Sequence, residues 1–245
     1  MCGHGTIGAV TAIIEEGLVT PAKQGTLAID APVGRIEVEY ARNGQLVEYV
    51  LSRNVPSYLH ASALSIDIPP IGTLSVDVAY GGNYYAIVEP QSNWPGLNQT
   101  AVAQHLALSP MVRFMTEKKL KPAHPADDRI RGASHVMWCD SPLSPRASAR
   151  NAVFYGDKAI DRSPCGTGSS ARMAQLTAKG RLSVGEEFIH ESIIGTMFHC
   201  KVETETRVGS YAEIRPSVAG WARVTGHNTI FVDPSYPLAH GLLVL

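Results

Sequence analysis

Cys2-Gly3-His4-Gly5-Thr6-Ile7-Gly8-Ala9-Val10-Thr11-Ala12-Ile13-Ile14-Glu15-Glu16-Gly17 and Cys165-Gly166-Thr167-Gly168-Ser169-Ser170-Ala171-Arg172-Met173-Ala174-Gln175-Leu176-Thr177-Ala178-Lys179-Gly180 are two copies of one pattern. Each copy gives Cys-Gly-x-Gly-[Thr/Ser], then a helix-compatible run, then a glycine at the same offset, Gly17 or Gly180. A glycine there suits the left-handed position that ends a helix. The pattern predicts helices over Thr6–Glu16 and Ser170–Lys179, each opened by a cysteine loop, in two lobes of similar design.

The chemistry follows from the spacing. A thiol at a helix N-terminus meets unpaired N–H groups and the positive end of the dipole, which lower its pKa and favour thiolate. The backbone at Gly3-His4 and Gly166-Thr167 would offer N–H donors to a carboxylate. Two such loops facing each other would grip a carboxylate from both sides, with one cysteine on each face of the α-carbon. One thiolate could then remove the α-proton while the opposite thiol supplies one, which is racemisation or epimerisation by two bases.

Other readings compete with this one. Gly3-His4-Gly5-Thr6-Ile7-Gly8 matches G-x-G-x-x-G, and Asp30 stands near the distance of a ribose-binding acid. A dinucleotide site needs a strand just before the glycines, however, and the copy at Cys165 lacks the third glycine. Taken singly, Cys2 and Cys165 read as small buried apolar residues, as do Cys139 and Cys200, which lack flanking glycines. Asp161 could meet a cationic amine or simply form an Asx-turn into the second loop. His4 could face the site or the solvent. His190-Glu191 lacks the second histidine of a zinc-protease motif, no CxxC occurs, and no metal site is expected.

The rest of the chain reads as short strands punctuated by 22 glycines and 16 prolines. Alternation predicts strands within Gly25–Tyr40, interrupted at Pro32-Val33-Gly34, and at Leu46–Val50 after the turn Asn43-Gly44. Leu64–Ile68 and Leu74–Val78 read as a hairpin, followed by Ala86–Val88. Thr100–Leu108 is a third helix candidate, Lys121–Arg129 reads as a surface loop, and Glu187–Val208, Ala212–Val218 and Thr229–Val232 return to strands. Gly81-Gly82-Asn83-Tyr84-Tyr85 reads equally as a cleft lining or a tight turn.

The chain has 245 residues, 44% of them hydrophobic, and 21 Lys+Arg against 22 Asp+Glu. That composition is globular and lacks the basic excess of a nucleic-acid binder. No apolar run reaches the roughly 18 residues of a membrane span. Neither a leader nor a disulfide framework is visible, so a reducing, cytoplasmic setting is expected.

Met1-Cys2-Gly3-His4-Gly5-Thr6 and Asp161-Arg162-Ser163-Pro164-Cys165-Gly166-Thr167-Gly168 resemble the two active-site signatures of the proline racemase family. Ala79–Val88, His190–Gly195 and Gly220–Arg223 also fit, and with Asn151–Ile160 they are most similar to its 4-hydroxyproline 2-epimerase branch. The resemblance implies an α+β, diaminopimelate-epimerase-like fold: two pseudo-symmetric lobes of mainly antiparallel sheet, each around a central helix. It implies a cofactor-independent isomerase acting on an imino acid, with Cys2 and Cys165 as acid/base thiols. Gly3, His4, Gly166 and Thr167 would hold the carboxylate, and Asp161 and the His4 side chain the ring nitrogen. A related branch of dehydratases carries Thr in place of Cys165, which argues against dehydration. Proline is the alternative substrate, and an inactive imino-acid-binding paralogue the alternative class.

The family carries a substantial segment before its first cysteine motif, and this chain opens inside that motif. The expected division is therefore 1–61 as the remainder of the first lobe, 62–223 as the second lobe, and 224–245 as a C-terminal segment returning to the first. The helix bearing Ile7, Val10, Ile13 and Ile14 would be left partly uncovered. The unpaired sheet edge beside it would be open to association, so residues 1–245 alone are expected to be poorly soluble or oligomeric, and inactive, while the second lobe keeps its fold; a homodimer is the expected assembly.

Overall fold

The computed structural model describes residues 2–31 and 34–241. In chain order the elements are α1 (Gly3–Glu15), β1 (Thr26–Ala31), β2 (Gly34–Asn43), β3 (Leu46–Arg53), β4 (Ser57–Ile68), β5 (Gly72–Tyr80), β6 (Tyr84–Val88) and α2 (Val102–Leu120). They continue with β7 (Ala123–His124), β8 (Asp127–Arg131), β9 (His135–Asp140), β10 (Ala149–Tyr155), β11 (Ala159–Ile160), α3 (Gly166–Ala178), β12 (Glu187–Glu191), β13 (Met197–Val208) and β14 (Tyr211–Gly220).

The sequence repeat becomes a structural one at both helices. Gly17 and Gly180 take left-handed φ values of +63° and +66°. At α1, Gly17 N–H donates to the Ile14 carbonyl and Leu18 N–H to that of Ile13; at α3, Gly180 donates to Thr177 and Arg181 to Leu176. This is the same paired closure of the last turn, reached twice from one glycine offset.

One sheet carries nearly all the strands, in the order β1-β2-β3-β14-β13-β12-β10-β9-β6-β5-β4, with β14 also paired to β4. That last pairing closes β4, β5, β6, β9, β10, β12, β13 and β14 into a ring, and β1–β3 extend from it as an arm. Neighbours run antiparallel except β10 with β12 and β6 with β9. α3 lies inside the ring, and every residue from Gly166 to Leu176 is buried. α2 packs on the outside, where Leu108 and Val112 join Ile66, Leu74, Val88 and Trp138 in one apolar cluster. Strand β6, covered on both faces, is buried at all five positions, hence its uninterrupted apolar and aromatic sequence.

α1 sits on the arm instead. Ile7, Val10 and Ile14 are buried in a cluster with Ile36, Val38 and Val50 of the arm and Phe198 and Val218 of the ring. The expectation that this stripe is left partly uncovered is corrected for Ile7, Val10 and Ile14, which the arm and β14 cover. Ile13 is half-buried, and the opposite face, with His4, Gly5 and Ala9, stays open.

Three further expectations change. The helix expected to stop at Leu108 runs to Leu120 through Pro110; burial of Val112 and Thr116 continues its covered face past the proline and offsets a cost of about 3 kcal/mol. Lys121–Arg129 is not simply a loop, because β7 and β8 form a small antiparallel pair across it. Thr229–Val232 is not a strand; among the described residues no partner strand reaches it, and Ile230 and Phe231 are exposed. Pro32 and Val33, where the β1–β2 alternation breaks, lie outside the described residues, as do 242–245 of the C-terminal segment. Among the described residues no helix is long and apolar enough to cross a membrane.

Candidate active site

The N-termini of α1 and α3 meet. A Cβ built on Gly3 would stand 2.8 Å from the Cα of Gly166, and one on Gly166 would stand 2.9 Å from the Cα of Gly3. Only two glycines allow that approach. The second glycine of each loop has a different task. A Cβ on Gly5 would meet Cys2 Sγ at 2.9 Å, and one on Gly168 would meet Cys165 Sγ at 3.1 Å. The Cys-Gly-x-Gly pattern thus packs helix on helix with its first glycine and makes room for its own sulfur with the second. The early N–H groups of both helices, lacking partners within the helix, converge on one place.

The two cysteines differ in environment. Cys2 is exposed and extended, with φ −133°, and its Sγ lies 3.8 Å from His4 Nε2. Cys165 is 5% exposed and takes φ +65°, a strained value for a side-chain-bearing residue. Its Sγ is 3.3 Å from the Tyr85 hydroxyl and 3.9 Å from Thr167 Oγ1. Burial pushes the Cys165 thiol up to about 12, and the Asp161 charge adds to this against hydrogen bonds from Tyr85, Gly168 N–H and Thr167. The expected lowering by the helix terminus is corrected for this cysteine. A dipole contributes at most about 2 kcal/mol, whereas full burial can move a pKa by several units the other way.

His4 and Asp161 are brought together across the two loops. His4 Nδ1 lies 3.3 Å from Asp161 Oδ2 and 3.4 Å from Ser163 Oγ. The hydrogen bond to Asp161 raises the His4 pKa against the opposing effect of burial. Burial would raise the Asp161 carboxyl, but the hydrogen bonds from His4 and Ser163 and the His4 charge outweigh it and hold the pKa below its ordinary value. Asp161 also forms the Asx-turn, its Oδ1 accepting from Ser163 N–H and Oγ–H, each at 2.8 Å. The turn carries on into the Cys165 loop, where Ser163 Oγ accepts from Cys165 N–H at 3.1 Å. A cavity of about 430 Å³ opens over this pair, walled by Ile7, Phe198, Ile194 and Trp221. A larger one, about 1150 Å³, lies among Tyr80, His124, Arg129 and Arg215, and no cysteine lines it.

Gly81 and Tyr85, read from the sequence as either cleft lining or tight turn, both reach α3, and further side chains without an assigned role stand around them. Gly81 lies flat on α3, where a Cβ would fall 2.5 Å from Ala171 N. Tyr85 reaches Cys165 because alternation in β6 turns Tyr85 and Ile87 into the ring, where they join Cys165 and Ala171. His135 packs against Tyr85 with ring centres 4.9 Å apart and planes tilted by 37°, and burial holds its pKa down to about 4. Behind the loop, Asn151 donates to the Pro164 carbonyl at 2.9 Å, and Ser169 Oγ and His190 Nδ1 are 2.9 Å apart. Cys139 and Cys200 are buried packing residues, as expected.

The family model described as proline racemase matches residues 1–243. This chain belongs to the proline racemase family. Within the family, it is 55% identical over 244 residues to the 4-hydroxyproline 2-epimerase of Brucella suis biovar 1 (strain 1330), covering all of this chain and 73% of that protein. It is 56% identical over 241 residues to the 4-hydroxyproline epimerase of Brucella melitensis biotype 1, covering 98% of this chain and 72% of the relative. Among solved structures, a probable proline racemase from Agrobacterium radiobacter K84 with bound carbonate aligns at TM-score 0.87 and 28% identity over 100% of this chain and 72% of its own. A hydroxyproline epimerase from Agrobacterium vitis with bound trans-4-hydroxy-L-proline aligns at 0.85 and 26%, over 98% and 69% respectively. The α+β, diaminopimelate-epimerase-like class holds for this proline racemase family member. Its two lobes are unequal in what surrounds the central helix, a closed ring for α3 and an arm for α1.

Proposed function

We propose that this protein is a 4-hydroxyproline 2-epimerase, interconverting trans-4-hydroxy-L-proline and cis-4-hydroxy-D-proline. The observation that carries the reading is the contact of Gly3 with Gly166, which sets two cysteine-capped helix N-termini face to face. The imino-acid carboxylate would accept from the N–H groups of Gly3, His4, Gly166 and Thr167. Its cationic ring nitrogen would face Asp161 and His4.

The chemistry needs only the two sulfurs. One thiolate takes the α-proton and becomes a thiol. The electron pair left on the α-carbon spreads into the carboxylate, where the convergent N–H dipoles stabilise it. The opposite thiol then delivers its proton to the other face and becomes a thiolate. Protons balance, and the protonation states of Cys2 and Cys165 are exchanged. Relatives bearing the epimerase name at 55% identity support the substrate, as does the neighbour that binds trans-4-hydroxy-L-proline.

Incubation with 4-hydroxyproline and with proline in D₂O, followed by NMR, tests the assignment. Deuterium should enter the α-position of 4-hydroxyproline together with inversion. A higher kcat/KM for proline would select the racemase instead, and no α-deuterium in either would exclude the enzyme class.

A further inference from the structure

We propose that Tyr85 is a positioning residue for the Cys165 base, its hydroxyl turning to donate to the sulfur whenever that sulfur carries negative charge. The proposal rests on the two-thiol reading above. Tyr85 is fully buried on β6, with its hydroxyl 3.3 Å from Cys165 Sγ and 2.6 Å from Thr167 Oγ1. A phenol has one proton, so it can donate to one of these neighbours at a time.

The two protonation states of the thiol therefore call for two hydroxyl arrangements. With Cys165 as a thiol, Tyr85 donates to Thr167 and its oxygen accepts from S–H. With Cys165 as a thiolate, Thr167 donates to Tyr85 and Tyr85 donates to sulfur. Two hydroxyl rotations follow the charge, and no heavy atom moves. Among the described residues Cys2 has no such partner: it is exposed, and the group bonded to its sulfur is the ring of His4. The device thus serves one base of the pair.

The surroundings keep the phenol proton in place. Burial, together with the charges of Cys165 and Asp161, pushes the Tyr85 pKa well above its ordinary value. The other titratable groups facing this pair are Asp161, which opposes charge on Cys165, and His135, whose half-buried ring packs tilted against Tyr85. Beyond Asp161 stands His4. Among these groups, Tyr85 and Thr167 are the side chains that favour the thiolate. From a resting thiol, the transition state in either direction places charge on this sulfur, so the donor acts on the barrier.

The test compares Tyr85→Phe with the parent and with Cys165→Ser, all checked for fold by thermal melting. Loss of a hydrogen bond to a charged sulfur corresponds to roughly 10- to 100-fold. That factor should appear in kcat/KM equally for both epimers, because the equilibrium constant fixes the ratio of the two, and with KM within about twofold of the parent it should fall on kcat. Site-specific 3-fluorotyrosine at position 85, a more acidic donor of nearly the same shape, should keep or raise kcat. An unchanged kcat in Tyr85→Phe, or a loss confined to KM, overturns the proposal. Should the Phe variant not fold, a fluorotyrosine protein with kcat well below the parent overturns it. Full turnover by Cys165→Ser would instead overturn the two-thiol reading itself.

Discussion

Gly3 and Gly166 touch backbone to backbone, each lacking the Cβ that would collide with the other's Cα at 2.8–2.9 Å. This contact predicts the sign of a substitution that helix propensity alone would reverse. Alanine at the first position of α1 should stabilise an isolated helix by up to about 1 kcal/mol. Here the added methyl has only backbone to push against, so the helices must separate. Gly3→Ala and Gly166→Ala should each lower the melting temperature and cut kcat/KM by roughly 100-fold, the scale of a 1 Å misplacement at a reacting centre. Alanine variants as stable and active as the parent would show that the two N-termini do not meet.

The cysteines should separate cleanly under alkylation. Cys2 is exposed, while Cys139, Cys165 and Cys200 are buried, and burial pushes each of those three thiols up, to about 11, 12 and 12. Iodoacetamide at neutral pH should therefore modify the native protein at Cys2 alone, with activity lost in parallel, and reach the other three after unfolding. Peptide mapping by mass spectrometry reads this directly. Labelling of Cys165 ahead of Cys2 would contradict the placement of α3 inside the ring.

Local signals made the fold and much of the site readable. Glycine offsets fixed both helix ends, alternation located the major strands, and the doubled Cys-Gly-x-Gly pointed to a paired site. The misreadings share a physical origin in distant contacts. Burial of Cys165 depends on the β14–β4 pairing that closes the ring, which no local pattern encodes. Tyr85 reaches the sulfur from 80 residues away in sequence. Helix α2 passes Pro110 because the outer face of the ring continues beneath Val112. Two-base chemistry expects inequivalent thiols, since one accepts a proton and the other donates one, but the helix-terminus argument is the same for both and does not say which is which; their exposure is set by an arm in one case and a ring in the other.

The His4–Asp161 pair makes substrate binding pH-dependent with a definite sign. A histidine whose folded pKa is raised stabilises the paired form fully below its unfolded value, about 6.5. That stabilisation is lost as pH rises through the higher folded value. A cationic ring nitrogen arriving at Asp161 competes with protonated His4 and displaces its proton. Affinity for 4-hydroxyproline should thus increase between about pH 6 and 8, and His4→Gln should flatten the increase. Calorimetry in buffers of different ionisation enthalpy would show a proton released on binding; absence of release in the parent would rule out the competition.

Inside the ring, Arg172 of α3 is 5% exposed and its Nη2 lies 2.8 Å from Glu89 Oε1, while Gln175, on the same helix, and Lys179, which caps it, bond Asp77. Burial would raise both carboxyls. For Asp77 the bonds from Lys179, Ala63 N–H and Gln175 outweigh it, and for Glu89 the charges and bonds of Arg172 and Arg181 do, so both pKa values fall below the ordinary range. A depressed folded pKa contributes stability above the unfolded value, about 4, and loses it as pH falls through the folded one. Arg172→Met keeps the bulk but leaves the partly buried Glu89 with Arg181 and Lys179 as its cationic partners, and should destabilise the protein by about 2 kcal/mol at pH 7. The deficit should shrink towards pH 3, where the carboxylates protonate in both proteins. Urea denaturation at the two pH values measures the difference, and an equal deficit at both would mean that Arg172 contributes through packing rather than through its charge.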